Sequence, residues 1–105
     1  MVTLIRSYAL SEDLKAVRKI VCERLKDYKV KVYLYGSRAR GKAHRYSDID
    51  VAVLPLEPVP GWVLAEIRDA LEESNILYSV DLVNLYETNA RFRERVLREG
   101  ILWTE

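Results

Sequence analysis

Cysteine, histidine, glycine and proline are all scarce in this chain of 105 residues. The single cysteine, Cys22, excludes a disulfide framework and a zinc site built from several thiolates. No apolar run is long enough to span a membrane, and the N-terminus lacks the pattern of a signal peptide. We therefore expect a cytoplasmic protein with no membrane partner.

An excess of charge of one sign is also missing. The chain has 17 Lys and Arg against 16 Asp and Glu, which gives a formal net charge of +1. This balance argues against nucleic acid as the main partner, so any positive field must be local. Half of the residues are apolar, as in ordinary globular proteins. The length predicts a single domain over residues 1–105 with one modest core.

Helical and strand patterns alternate along the chain. Residues 1–10 are mixed and are expected to be partly extended, and Ser11 is a candidate N-cap for the first helix. Periodicity predicts helices at residues 12–28, 62–74 and about 88–99, and strands at 31–35, 49–54 and 78–85. Residues 101–103 form a short extended tail that lies on the sheet or on a partner. The predicted fold is α/β or α+β, with helices mainly on one face of a sheet.

The most informative stretch contains two carboxylates at the head of an apolar strand. Side chains alternate along a strand, so Asp48 and Asp50 project from the same face, roughly 7 Å apart along the chain. Two like charges held this close raise each other's pKa. A hard divalent cation removes that penalty, because carboxylate oxygens are its natural ligands.

A glycine-serine turn precedes these acids, directly after the first predicted strand. Gly36 permits backbone angles that other residues avoid and lets N–H groups approach an anion closely. Ser37 adds a hydroxyl donor, and a helix N-terminus following the turn would favour phosphate. A phosphate-binding turn beside a carboxylate pair indicates metal-assisted phosphoryl or nucleotidyl transfer.

Gly36-Ser37, ten intervening residues and Asp48-Ile49-Asp50 resemble the G-S-x10-D-x-D signature of minimal nucleotidyltransferase domains, in the DNA polymerase β superfamily. The resemblance implies a polymerase β palm-like fold, with a mixed sheet of about three to four strands and the active site on its uncovered face. It also implies a nucleoside triphosphate substrate, expected to be ATP with the other bases left open, and two Mg²⁺ ions held by Asp48 and Asp50, with Mn²⁺ left open.

Asp81 lies inside an otherwise apolar strand, where a lone acid is costly unless it is paired or bound to a metal. It shares a strand face with Ser79 and Val83, which is compatible with an approach to the other two acids. In the resembling family a third strand carboxylate helps to bind metal and acts as the general base. The alternative is a surface acid on a half-exposed strand.

The remaining candidate site residues would bind the nucleotide. The resemblance implies that Gly36 and Ser37 hold the β- and γ-phosphates. Arg38 and Arg40 belong to a basic run over residues 38–45 and are the candidates for a nucleotide contact, since guanidinium matches phosphate geometry. The alternative for this run is a solvated loop. His44, the only histidine, is not expected to be catalytic.

We expect a chain of this length to lack an acceptor-binding domain, and we therefore expect the acceptor to come from a partner. Free-standing domains of this kind resemble the antitoxin half of HEPN–nucleotidyltransferase toxin–antitoxin pairs. That resemblance implies transfer of AMP to a tyrosine of a separately encoded, helical HEPN protein. The alternative is a binding module that neutralises such a partner by contact alone. Trp62 and Trp103 are candidates for exposed interface residues.

Overall fold

A computed structural model describes the backbone of residues 2–39 and 48–104, with side chains from Glu12 onward in those ranges. The helices are α1 (Val2–Arg24), α2 (Gly61–Glu72) and α3 (Ala90–Glu99), and the strands are β1 (Val30–Tyr35), β2 (Ile49–Pro55), β3 (Val80–Asn84) and β4 (Ile101–Leu102). A 3-10 turn, Leu85–Glu87, follows β3. In this part of the chain no helix combines the length and apolar character needed to cross a membrane.

The four strands form one mixed sheet in the order β3-β2-β1-β4. β1 runs antiparallel to both β2 and β4, whereas β2 and β3 are parallel and are joined through α2. β2, which carries Asp50, is therefore one of the two inner strands, with β1 on one side and β3 on the other. The prediction of a small mixed sheet with helices is confirmed.

The main core lies between the sheet and the pair α1 and α2. Val17, Val21 and Leu25 recur every fourth residue, so one stripe of the first helical segment faces the sheet, where all three are fully buried or nearly so. α3 packs against the opposite face through Val96, beside Tyr33 and Ala52. Two of the three helices share one face, as predicted, and the face that was expected to be uncovered carries α3.

The first helix departs most from the sequence prediction. Residues 2–10 are helical rather than partly extended, and Ser11 lies inside α1 instead of capping it. No glycine or proline precedes Gly36, so nothing in this part of the sequence forces a break. The helix ends at Arg24, earlier than predicted, and the chain then turns tightly, with Tyr28 N donating to Leu25 O at 3.0 Å.

The C-terminal third contains three smaller differences. β3 stops at Asn84, because the Asn84 side chain accepts a hydrogen bond from Tyr86 N at 2.9 Å and starts the 3-10 turn. α2 ends at Glu72 with Glu73 as its C-cap. The tail pairs with β1, where Trp103 N donates to Val32 O at 2.7 Å. Trp103 is therefore only 8% exposed and is not an exposed interface residue, whereas Trp62 is 65% exposed.

Candidate active site

Two of the three predicted catalytic acids are direct neighbours in the sheet. Asp50 in β2 is paired with Asp81 in the parallel strand β3. Adjacent residues in register point to the same face, so both carboxylates lie on the α3 side, beyond the apolar contacts of that helix. Asp48 immediately precedes β2 and is exposed. The parallel pairing of β2 and β3 brings Asp81, more than thirty positions away in the sequence, to the DxD pair.

The glycine-serine turn lies directly against the central acid. Gly36 follows the last residue of β1 and has a φ of 78°, in the left-handed region that glycine adopts without strain. A β-carbon at this position would collide with Oδ2 of Asp50. The absence of a side chain at Gly36 thus lets the backbone of the turn approach the carboxylate, and Ser37 continues this turn as a half-buried residue.

The electrostatic environment of Asp50 is unfavourable for its charged form. Burial raises the pKa of Asp50, and the Asp81 and Asp48 carboxylates raise it further. The Arg38 guanidinium acts in the opposite direction and lowers this pKa. Burial and the two neighbouring carboxylates thus outweigh the compensation from Arg38. A hard cation would supply the missing compensation, and the oxygen donors present are those that Mg²⁺ prefers.

The three carboxylates do not by themselves form a complete metal-binding site. Among the described residues, no group of three acidic, histidine or cysteine side chains has the arrangement needed to hold an ion alone. Mg²⁺ commonly takes one or two carboxylates and completes its coordination with water and substrate phosphates. The donors fit that mode of binding, in which the ion arrives together with the nucleotide.

Arg38 connects the turn to both acidic strands. Its Nε donates to the backbone carbonyl of Asp48 at 3.2 Å, and its guanidinium carbon lies 4.6 Å from the centre of the Tyr78 ring. The second contact is a cation–π interaction with the segment that leads into β3. Arg38 thus lies beside the acids and holds protein groups, and its nucleotide contact stays a prediction. Arg40 and the rest of the basic run, including His44, lie outside the described residues.

Tyr35 is a site residue that sequence reasoning missed. It is the cross-strand partner of Asp50, and its ring meets Phe92 of α3 edge-on, with 5.6 Å between ring centres. Burial, together with the Asp50 and Asp81 carboxylates, raises the pKa of Tyr35 to about 12. Its phenol therefore stays neutral at physiological pH. In the sequence, only the position of Tyr35 immediately before Gly36 could have suggested that it lies beside the acids, since the β1–β2 register is not visible there.

A mixed sheet that holds clustered carboxylates against a glycine-serine turn defines a nucleotidyltransferase domain. The sequence agrees, because the model of the polymerase β nucleotidyltransferases matches residues 19–105. The chain belongs to this family, and the predicted fold class and enzyme class are confirmed.

Individual relatives place the chain within the family's minimal members. It is 37% identical over 95 residues to the Haemophilus influenzae protein named "Probable protein adenylyltransferase MntA", covering 90% of this chain and 82% of that protein. A toxin–antitoxin structure with AMP-PNP superposes with a TM-score of 0.64 at 30% identity, covering 83% and 72% of the two chains. A tri-AMPylated Shewanella oneidensis HEPN toxin in complex with its MNT antitoxin gives a TM-score of 0.59 at 25% identity, covering 86% and 71%.

Proposed function

We propose that this chain transfers AMP from ATP to a tyrosine hydroxyl of a helical HEPN-type partner, and that it acts as the antitoxin of that pair. The observation that carries the proposal is the contact of the Gly36 turn with Asp50, beside Asp81 in the next strand. A relative of similar length carries the name "Probable protein adenylyltransferase MntA", and a structural neighbour is an MNT antitoxin in complex with a tri-AMPylated HEPN toxin.

The nucleotide would be held at the β1 end of the site. Backbone N–H groups of Gly36 and Ser37, together with the Ser37 hydroxyl, would bind the β- and γ-phosphates, with Arg38 nearby as a counter-charge. Asp48 and Asp50, assisted by Asp81, would hold the divalent ion, which we take to be Mg²⁺. When bound, this ion supplies charge compensation for the phosphates and for the transition state.

Asp81 would serve as the general base. Its carboxylate is exposed and stands beside Asp50, so an incoming hydroxyl can reach it from the open edge of the sheet. The acceptor oxygen forms a bond to the α-phosphorus, the bond from that phosphorus to the bridging oxygen breaks, and pyrophosphate leaves. The proton of the acceptor passes to Asp81. The product is an AMP ester of the tyrosine.

Intact-mass spectrometry tests this proposal directly. The chain is incubated with ATP, Mg²⁺ and a HEPN-type candidate partner, and the mass of that partner is measured. We expect a gain of one or more AMP groups with the unaltered chain and no gain with Asp50→Asn. An unchanged mass, with the partner still neutralised, would instead support a binding module that acts by contact alone.

A further inference from the structure

A small recess lies between the glycine-serine turn and α3, on the same face of the sheet as the acids. Its volume is about 70 Å³, and its lining consists of Tyr35 and Gly36 at the end of β1 and Arg95, Val96 and Glu99 in α3. Tyr35 pairs with Asp50, and the Gly36 turn lies against that carboxylate. A phosphate bound by the turn can therefore face this recess, which is too small for a nucleoside.

Arg95 brings to the recess a positive charge that holds no protein group. In the ranges that the structure describes, no carboxylate lies within 4 Å of the Arg95 guanidinium, and Arg95 donates no side-chain hydrogen bond. Arg93 in the same helix differs, because it donates to Leu85 O at 3.0 Å and to Thr88 O at 3.3 Å. Arg93 thus stabilises the fold, whereas the donors of Arg95 are available to a ligand.

Arg95 and Arg38 approach the turn from different sides. Arg38 lies towards β2 and β3, where it contacts the Asp48 carbonyl and the Tyr78 ring. Arg95 lies on the β1 side, and β1 separates β2 from β4 in the sheet. A triphosphate with bound Mg²⁺ still carries negative charge, and a guanidinium matches phosphate geometry. Arg95 therefore supplies counter-charge on the side of the turn that Arg38 does not cover.

Glu99 places an opposite charge in the same recess. It lies four residues after Arg95, a spacing that allows an ion pair on a helix, but the two side chains are not within 4 Å of each other. A phosphate in the recess would be attracted by Arg95 and repelled by Glu99. Removing the two charges should therefore change the affinity in opposite directions, which a general loss of structure would not do.

We propose that Arg95 binds the β- and γ-phosphates of the nucleotide, together with the backbone of the Gly36 turn. Its guanidinium keeps this contact while negative charge develops on the departing pyrophosphate. Glu99 weakens the binding of the same phosphates. The inference rests on the proposed function, since it adds a binding residue to the nucleotide site of that reaction.

The substitution Arg95→Gln tests this contact, and Arg98→Gln is its matched control. Arg98 is an exposed arginine of the same helix that does not line the recess. Loss of one charge-assisted contact predicts about tenfold weaker binding of both ATP and inorganic pyrophosphate, measured by calorimetry with Mg²⁺ and without a protein partner. Glu99→Gln should bind both ligands about twofold more tightly. Arg95→Lys should keep part of the affinity because it keeps the charge, and Arg98→Gln should bind as the unaltered chain.

Thermal unfolding of each variant shows that it is folded, and Glu99→Gln decides the case if Arg95→Gln is not. Unchanged binding by Arg95→Gln, a loss confined to ATP, an equal loss in Arg98→Gln, or no gain in Glu99→Gln would overturn the proposal. These measurements need no HEPN-type protein. A failure of AMP transfer would therefore refute the proposed function and leave the phosphate contact standing, whereas an unaltered chain that binds no ATP would refute both.

Discussion

Replacing Gly36 by alanine is expected to disable the site with only a modest loss of stability. The left-handed backbone at φ 78° costs a residue with a β-carbon about 1–2 kcal/mol. For a domain of this size, that loss lowers Tm by roughly 5–10 °C. A typical domain has about 5–15 kcal/mol of stability, so the variant should remain folded at 25 °C.

The collision with Asp50 decides the effect on activity. The new β-carbon would overlap Oδ2 of Asp50, and restoring van der Waals separation requires a displacement of about 1 Å. A displacement of this size in a catalytic group can lower the rate about 100-fold. We therefore expect AMP transfer by Gly36→Ala to fall about 100-fold at a temperature where circular dichroism shows a folded chain.

Gly61→Ala is the matched control for this experiment. Gly61 begins α2, and a β-carbon there would meet no atom within 4 Å. Its alanine variant should transfer AMP normally and be as stable as the unaltered chain, or more stable by about 0.4–1 kcal/mol. Normal transfer by Gly36→Ala would refute the argument that the turn must lie against Asp50. A similar loss in Gly61→Ala would show that the effect is not specific to the turn.

Three further predictions concern the charge of Asp50, the metal dependence of ATP binding and the N-cap of α3. Because the pKa of Asp50 is raised in the folded state, its ionised form destabilises the fold above that pKa, and the effect vanishes below its unfolded pKa. Asp50→Asn should therefore raise Tm at pH 7 in metal-free buffer, and this gain should disappear on acidification; a lower Tm would make Asp50 a structural residue. ATP should bind more weakly in EDTA than in Mg²⁺ when measured by calorimetry, and equal affinity would contradict a metal-dependent site. Asn89→Ala should lose about 1 kcal/mol in denaturant unfolding, because the Asn89 side chain accepts a hydrogen bond from Phe92 N at 2.8 Å; Asn89→Asp should retain most of that stability.

The contacts of Arg38 also organise the acids before a nucleotide binds. Arg38 lowers the pKa of Asp50 and holds the Asp48 carbonyl and the Tyr78 ring. A nucleotide that brings a cation would replace part of this charge compensation. The site therefore has protein groups that organise the acids without metal and a donor set that favours metal once the triphosphate is present.

Local patterns in the sequence determined much of this protein. The spacing of Gly36-Ser37 from the DxD pair correctly predicted the family and indicated a candidate site, since motif and turn chemistry depend on neighbouring residues. The buried stripe of Val17, Val21 and Leu25 was visible because helical periodicity needs no knowledge of the partner surface. The extent of α1 was not visible, because β-branched residues near the N-terminus are compatible with both helix and strand.

Only the tertiary structure decided which distant residues meet. The parallel register of β2 and β3 places Asp81 beside Asp50, and the antiparallel register of β1 and β2 places Tyr35 on its other side. The sequence made Asp81 a candidate, but neither the pairing of Tyr35 with Asp50 nor the contact of Tyr78 with Arg38 could be predicted from it. Pairing register depends on how all strands and helices pack together, so it is a property of the whole sheet. The burial of Trp103 arises in the same way, because the residues that pack around it come from segments far apart in the chain.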